Sequence, residues 1–187
     1  MKPDVKLIEG HRYIVDGKPC LSTVTRELEK AGLSKYWNKD SWYMERGNAV
    51  HIATHLIDRG LLDWDTVDPR IEGFLEAYLK FKKESGIVFE YREVSLYDPI
   101  YRFCGTPDAF YPLTDIKTGQ ENDVQLGAYW HLLKTNGYKV DKKAYSLLLF
   151  EDGTYKFNPI REDIEMLANV FLCALTVNRY KENKNLY

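Results

Sequence analysis

The chain has 187 residues, 44% of them apolar and 29% charged, with a formal charge of −2. That composition excludes a disordered or collagen-like polypeptide, and the charge gives no overall basic field, so any nucleic-acid site must be a local patch. At this length one domain can bury its own core without disulfides. Cys20, Cys104 and Cys173 are scattered and odd in number, which predicts reduced, buried thiols. The first residues hold no signal-peptide core, and no apolar run approaches a membrane span. A cytoplasmic protein with no membrane contact is therefore expected.

From the N-terminus, Arg12–Val15 and Pro19–Leu21 flank the turn dipeptide Asp16-Gly17 and predict a small hairpin. Ser22 is placed as the cap of a short helix ending at Gly32. A longer helix is predicted over about 41–59, with Ala49, Ile52, Ala53, Leu56 and Ile57 as its buried stripe. Asp68-Pro69 reads as an N-cap followed by a first-turn proline. It opens a helix whose Ile71, Phe74, Leu75 and Tyr78 share a face until Ser85-Gly86. Runs of β-branched and aromatic residues then predict strands near 88–96, 101–110 and 113–117. A helix over 121–136 closes at Gly137, strands over 143–150 and 154–157 flank Glu151-Asp152-Gly153, and a last helix starts at Asn158-Pro159 and runs to about Tyr180. No repeat or linker divides the chain. The expectation is one α/β domain over 1–187, with a helical N-terminal part over about 22–85 and a core over about 86–187 built on a small mixed β-sheet flanked by helices.

The chemistry concentrates where two predicted strands meet at Tyr111-Pro112. A tight antiparallel turn there sets Phe110 against Leu113 and Asp108 against Asp115. Like charges directly opposed on a sheet destabilise it unless something neutralises them, and a divalent cation would. Strand alternation adds Lys117 to the face of Asp115. Few protein oxygen ligands suit Mg²⁺, with Mn²⁺ as a substitute, and an adjacent ammonium can stabilise charge developing on a phosphate. An isolated Asp-x-Lys is usually only a surface ion pair.

Here it stands in a series: Arg46-Gly47-Asn48-Ala49-Val50-His51, Gly105-Thr106-Pro107-Asp108, Asp115-Ile116-Lys117 and Gln125-Leu126-Gly127-Ala128-Tyr129. This ordered set resembles the PD-(D/E)XK nuclease superfamily, in particular its RecB-like and phage-type exonuclease branch. Leu21-Ser22-Thr23-Val24-Thr25 is similar to the segment that precedes the first helices of phage-type members. The resemblance spans about residues 11–130 and implies a restriction-endonuclease-like core.

By that resemblance, His51, Asp108, Asp115 and the backbone carbonyl of Ile116 ligate Mg²⁺ or Mn²⁺, and Lys117 serves the attacking water. Gln125 and Tyr129, on one helical face, border the site and contact DNA or the lysine. Glu93 aligns loosely with a further acidic ligand and shares strand parity with Phe89 and Tyr91. His51 and His55 lack the glutamate of a zinc protease helix, because Ile52 follows His51. Three scattered cysteines argue against the four-cysteine iron-sulphur cluster of some relatives. The implied activity is a metal-dependent DNA exonuclease in phage-type recombination, repair or DNA processing, in a phage or prophage setting, with DNA and a recombination or single-strand-binding protein as partners. The alternatives are a structure-specific or endonucleolytic enzyme, or a non-catalytic DNA-binding module. Lys35, Lys39, Arg46, Lys134 and Lys139 are candidates for phosphate contacts, and Trp37, Trp42 and Tyr43 for base stacking.

Overall fold

The computed structural model describes residues 3–8, 12–34 and 41–186. Strands β1 (Val5–Ile8), β2 (Arg12–Val15) and β3 (Lys18–Cys20) form an antiparallel sheet in chain order. Asp16 and Gly17, with φ of 48° and 79°, supply the left-handed backbone that the predicted hairpin turn needs. Helix α1 (Val24–Lys30) is capped by Thr23 rather than Ser22: the Thr23 hydroxyl accepts from the Arg26 N–H at 3.3 Å. The Ser22 carbonyl is used elsewhere, accepting from the Cys104 N–H at 3.0 Å.

Helix α2 (Ser41–Asp58) turns Ala49, Ala53 and Ile57 of the predicted stripe toward the core and corrects it at Ile52. Its buried residues are Val50, Ala53 and Thr54, whereas Ile52 is 63% exposed. Two residues turn an α-helix by about 200°, so burying Val50 puts Ile52 on the opposite side. Helix α3 (Pro69–Ser85) has the predicted Asp68 cap, buries Ile71, Phe74, Leu75 and Tyr78, and ends at Gly86 in the left-handed region.

The two long strands expected before residue 111 are each broken. The first divides into β4 (Tyr91–Arg92) and β5 (Leu96–Asp98), with Glu93 at φ 53° between them. The second divides into β6 (Phe103–Gly105) and β7 (Ala109–Phe110) around Pro107, which has no N–H to give to a ladder. β5 pairs with β6 in a two-stranded sheet, while β4 and β7 join the central one. After β8 (Leu113–Lys117) come α4 (Asp123–Thr135), β9 (Ala144–Leu149), β10 (Tyr155–Pro159) and α5 (Ile164–Lys184). The last helix starts later than Asn158-Pro159 suggested. Pro159 still pairs with Tyr145 in β10, and Asp163 caps α5 by accepting from the Glu165 and Met166 N–H groups at 3.0 Å.

The central sheet has the order β10-β9-β8-β7-β4, with β8 and β9 parallel and the other pairs antiparallel, so the protein is mixed α/β. Alternation along β8 and β9 feeds two cores. Leu113 and Ala144 pack with α1, α4 and α5 on one face, and Ile116 and Leu147 pack with α2 and α3 on the other. Cys104 is buried as expected, Cys20 is half-buried, and Cys173 is exposed, because it lies on the outer side of α5; none forms a disulfide. No helix among the described residues is long and apolar enough to cross a membrane.

Helices α4 and α5 cross at Gly127, where an added Cβ would lie 2.6 Å from the backbone of Leu167 and Ala168. A Gly127→Ala variant should lose about 1–3 kcal/mol of stability through overpacking, read from its urea unfolding midpoint. An unchanged midpoint would mean that the helices can separate at no cost.

Candidate metal centre at the β7–β8 hairpin

The turn between β7 and β8 is Tyr111–Pro112, a cis peptide bond with Tyr111 at φ 63°. Ala109 stands opposite Thr114, the register predicted from sequence, and one step further along it Asp108 meets Asp115. Along β8, Ile116 points into the α2/α3 core, and Asp115 and Lys117 point to the other face, toward α4. Lys117 Nζ lies 3.0 Å from Asp115 Oδ2 and donates to Gln125 Oε1 at 3.0 Å. Gln125 Nε2 in turn donates to the Tyr129 hydroxyl at 2.9 Å. Tyr129 is buried, and burial holds its phenol well above the ordinary range, so it stays protonated and orients Gln125. The residues bracketed by the Gln-x-x-x-Tyr pattern thus reach the lysine, with the tyrosine one step behind.

Asp108 is fixed at nearly every polar atom. Its carbonyl accepts from the Glu93 N–H at 3.2 Å and from Arg92 Nε at 2.9 Å. Its Oδ2 accepts from the Ile116 N–H at 2.6 Å, and its Oδ1 lies 3.4 Å from His51 Nδ1. Arg92 also donates to the Tyr78 hydroxyl at 2.7 Å, to Thr54 Oγ1 at 3.1 Å and to the Asp58 carboxylate, which Lys82 contacts as well. One guanidinium therefore ties α2, α3 and β4 to the backbone of the catalytic candidate. Sequence reading missed Arg92, since nothing in a short strand run marks an arginine as buried.

His51 enters the same space from α2, 3.9 Å from Glu93 Oε1. Ligand atoms of His51, Glu93 and Asp108 all lie within 4.8 Å of one another. Glu93 arrives by a route that strand parity did not foresee. Tyr91 stacks on Phe110 in the α4/α5 core, whereas Phe89 stacks on Phe81 in the α2/α3 core, so the two share no face. The left-handed backbone at Glu93 then breaks the alternation and aims its side chain at the carboxylates.

Burial, then the neighbouring Asp108, raises the Glu93 carboxyl to about 8. Burial raises Asp115 to about 6 against the pull of Lys117, and it raises Asp108 as well. Both oxygens of Asp115 and Oε1 of Glu93 are buried without a well-aligned hydrogen-bond donor. Buried anions in that state cost several kcal/mol unless a proton or a cation reaches them. The donor set, three carboxylates and one imidazole, fits a hard divalent ion. His51, Glu93 and Asp108 are close enough together that they would hold such an ion between them. Asp115 lies outside the tightest group but acts electrostatically on both Asp108 and Glu93. The pairing of β8 with β9 adds Ser146 beside Asp115, with its hydroxyl buried and unpartnered. That parallel pairing joins segments about thirty residues apart and has no local sequence signal.

The candidate DNA-contacting residues separate. Arg46 is turned inward, donating to the Thr118 carbonyl at 3.0 Å and lying over the rings of Phe74 and Tyr43. Trp42 lies under Arg70, Lys134 covers Trp130, and Lys139 is exposed. Lys35, Trp37 and Lys39 lie outside the described residues.

Carboxyls raised in the folded state contribute stability below their unfolded pKa and lose it as pH rises through the folded one. In chelator, the melting temperature should therefore fall as pH climbs from the ordinary carboxylate range to about 8, the value reached by Glu93. Glu93→Gln should flatten that slope, and Mg²⁺ or Mn²⁺ should raise the melting temperature more at pH 8 than at pH 5. A slope unaltered by both changes would remove the electrostatic account.

No protein-family model and no curated protein sequence matches this chain, so a functional reading rests on these residues and their geometry.

Proposed function

We propose that the chain is a divalent-metal-dependent DNA nuclease of the PD-(D/E)XK type, hydrolysing phosphodiester bonds as an exonuclease. The observation that carries this reading is the convergence of Asp108, Asp115 and Glu93 with His51 and Lys117 beside the central strand of a mixed sheet, where three buried carboxylate oxygens lack a well-aligned hydrogen-bond donor. Support for a restriction-endonuclease-like core comes from β8, antiparallel to β7 and parallel to β9, with α4 following it and supplying Gln125.

In this reading His51, Asp108, Asp115, the Ile116 carbonyl and Glu93 hold Mg²⁺ or Mn²⁺. The ion supplies positive charge that polarises the scissile phosphate and acidifies the attacking water. Lys117 does the remaining electrostatic work. Gln125 and Asp115 hold its ammonium in place, so it is already oriented when charge builds on the phosphate. Asp108 cannot swing away, because backbone donors and Arg92 fix it from both sides.

The test is cleavage of end-labelled linear and closed circular DNA in Mg²⁺ or Mn²⁺. Asp115→Asn and Lys117→Ala should each lower the rate by about 10²-fold or more, the scale of losing a preorganised charge partner. Loss of linear but not circular DNA identifies an exonuclease, and nicking of the circle an endonuclease. Full activity in both variants would end the assignment.

A further inference from the structure

Helix α5 carries two apolar stripes. The inner one, which includes Ile164, Leu167, Phe171 and Leu175, is buried against the body of the protein. The outer one consists of Met166, Val170, Cys173, Val177 and Tyr180, and all five are exposed. Their spacing alternates four and three residues along the whole helix, the repeat by which one helix presents a continuous seam to another. Folding of the single chain has no use for this second stripe.

The surroundings of the seam select its occupant. Asn169, Thr176 and Asn183 run along one flank, so no charge opposes close approach there. The ends carry opposite charge. Glu162 and Asp163 outnumber Arg161 at the N-terminal end, all three exposed, and Lys184 is exposed at the C-terminal end beyond Lys181, where Lys30 pairs with Glu182. A second α5 laid antiparallel on the first would bring acids to lysines at both ends and apolar residues together between them. A parallel partner would set like charges together. Two-fold pairing of identical patches is also the commonest way in which chains self-associate.

We propose that the outer face of α5 is a homodimer interface, in which it packs antiparallel against α5 of a second copy of this chain. The seam from Met166 to Tyr180 is about 21 Å long at 1.5 Å per residue. One such helix pair buries an area at the low end for specific interfaces, so the dimer dissociates on dilution. The interface is independent of the chemistry at Asp108 and Asp115, and it lies on the side of α4 away from the sheet.

Light scattering on a size-exclusion column, over a dilution series of the intact chain, tests this. The wild type should pass from dimer to monomer mass, and Val170→Lys/Val177→Lys should stay at half the dimer mass throughout, melting like the wild type at dilutions where the wild type is monomeric, because both sites are exposed. For direction, Glu162→Cys and Lys184→Cys are made separately in a Cys173→Ser background and treated with a short bismaleimide. Cross-linked dimer should form only when the two are mixed. A wild type that is monomeric at its highest soluble concentration would overturn the proposal and leave the stripe to a different partner. A double-lysine variant that still dimerises, or single variants that cross-link to themselves, would overturn it as well.

Discussion

Three carboxyls that repel one another are held in one small volume by backbone that cannot relax. Asp108 is clamped by the N–H groups of Glu93 and Ile116, Asp115 is fully buried in the middle of a five-stranded sheet, and Glu93 is delivered by a left-handed residue. Pairing within the chain offsets part of this: Lys117 lies beside Asp115, and His51 lies near Asp108 and Glu93, yet burial still raises all three carboxyls. The fold therefore stores an electrostatic debt at a fixed place. Arg92 illustrates how much structure is committed to it: its guanidinium neutralises Asp58 and spans α2, α3 and β4, yet it hydrogen-bonds Asp108 through the carbonyl, while both Asp115 oxygens and Glu93 Oε1 lack a well-aligned donor. A chain selected for stability alone would have paired that charge or replaced it with an apolar side chain.

The two cores make this arrangement possible. Leu113 and Ile116 on β8 anchor opposite layers of helix, so the strand cannot rotate to expose Asp115. Close backbone approaches tighten it further. A Cβ on Gly105 would lie 2.8 Å from side-chain atoms of Val24 and Leu132, which means that the segment leading to Asp108 is pressed against α1 and α4. The hydroxyl of Tyr13, from the small N-terminal sheet, reaches Thr106 at 2.8 Å and braces the same segment from outside.

What the sequence made legible was local. A two-residue turn and strand alternation sufficed to oppose Asp108 to Asp115 and to add Lys117, since both depend only on near neighbours. Helix caps at Asp68 and Gly86 were readable for the same reason. Three things were not. The stripe of α2 mixed residues from two faces, because its Ala and Ile positions fit more than one three-and-four series. Broken strands looked continuous, since β-branched and aromatic residues persist through Glu93 and Pro107, and only backbone dihedrals and missing donors interrupt them. Long-range partners such as Arg92 and Ser146 depend on which segments pair, and that is decided by the whole core. The motif series supplied His51 where helix periodicity alone favoured a solvated histidine.

The Gly127 crossing gives the two walls of the site unequal freedom. Helix α4, which presents Gln125 and Tyr129 to Lys117, meets α5 at backbone contact and also touches β5, β6, β8 and β9. Helix α2, which presents His51, packs chiefly on α3, sends Val50 and Ala53 into the core that holds Ile116 and Leu147, and is tied further by long side chains: Arg46 to Thr118, and Arg92 to Thr54 and Asp58. Long polar tethers tolerate sliding that the backbone contact at Gly127 does not. The lysine side is thus the stiffer jaw of a vice, and a ligand that changes the gap between the two is expected to displace α2 before α4.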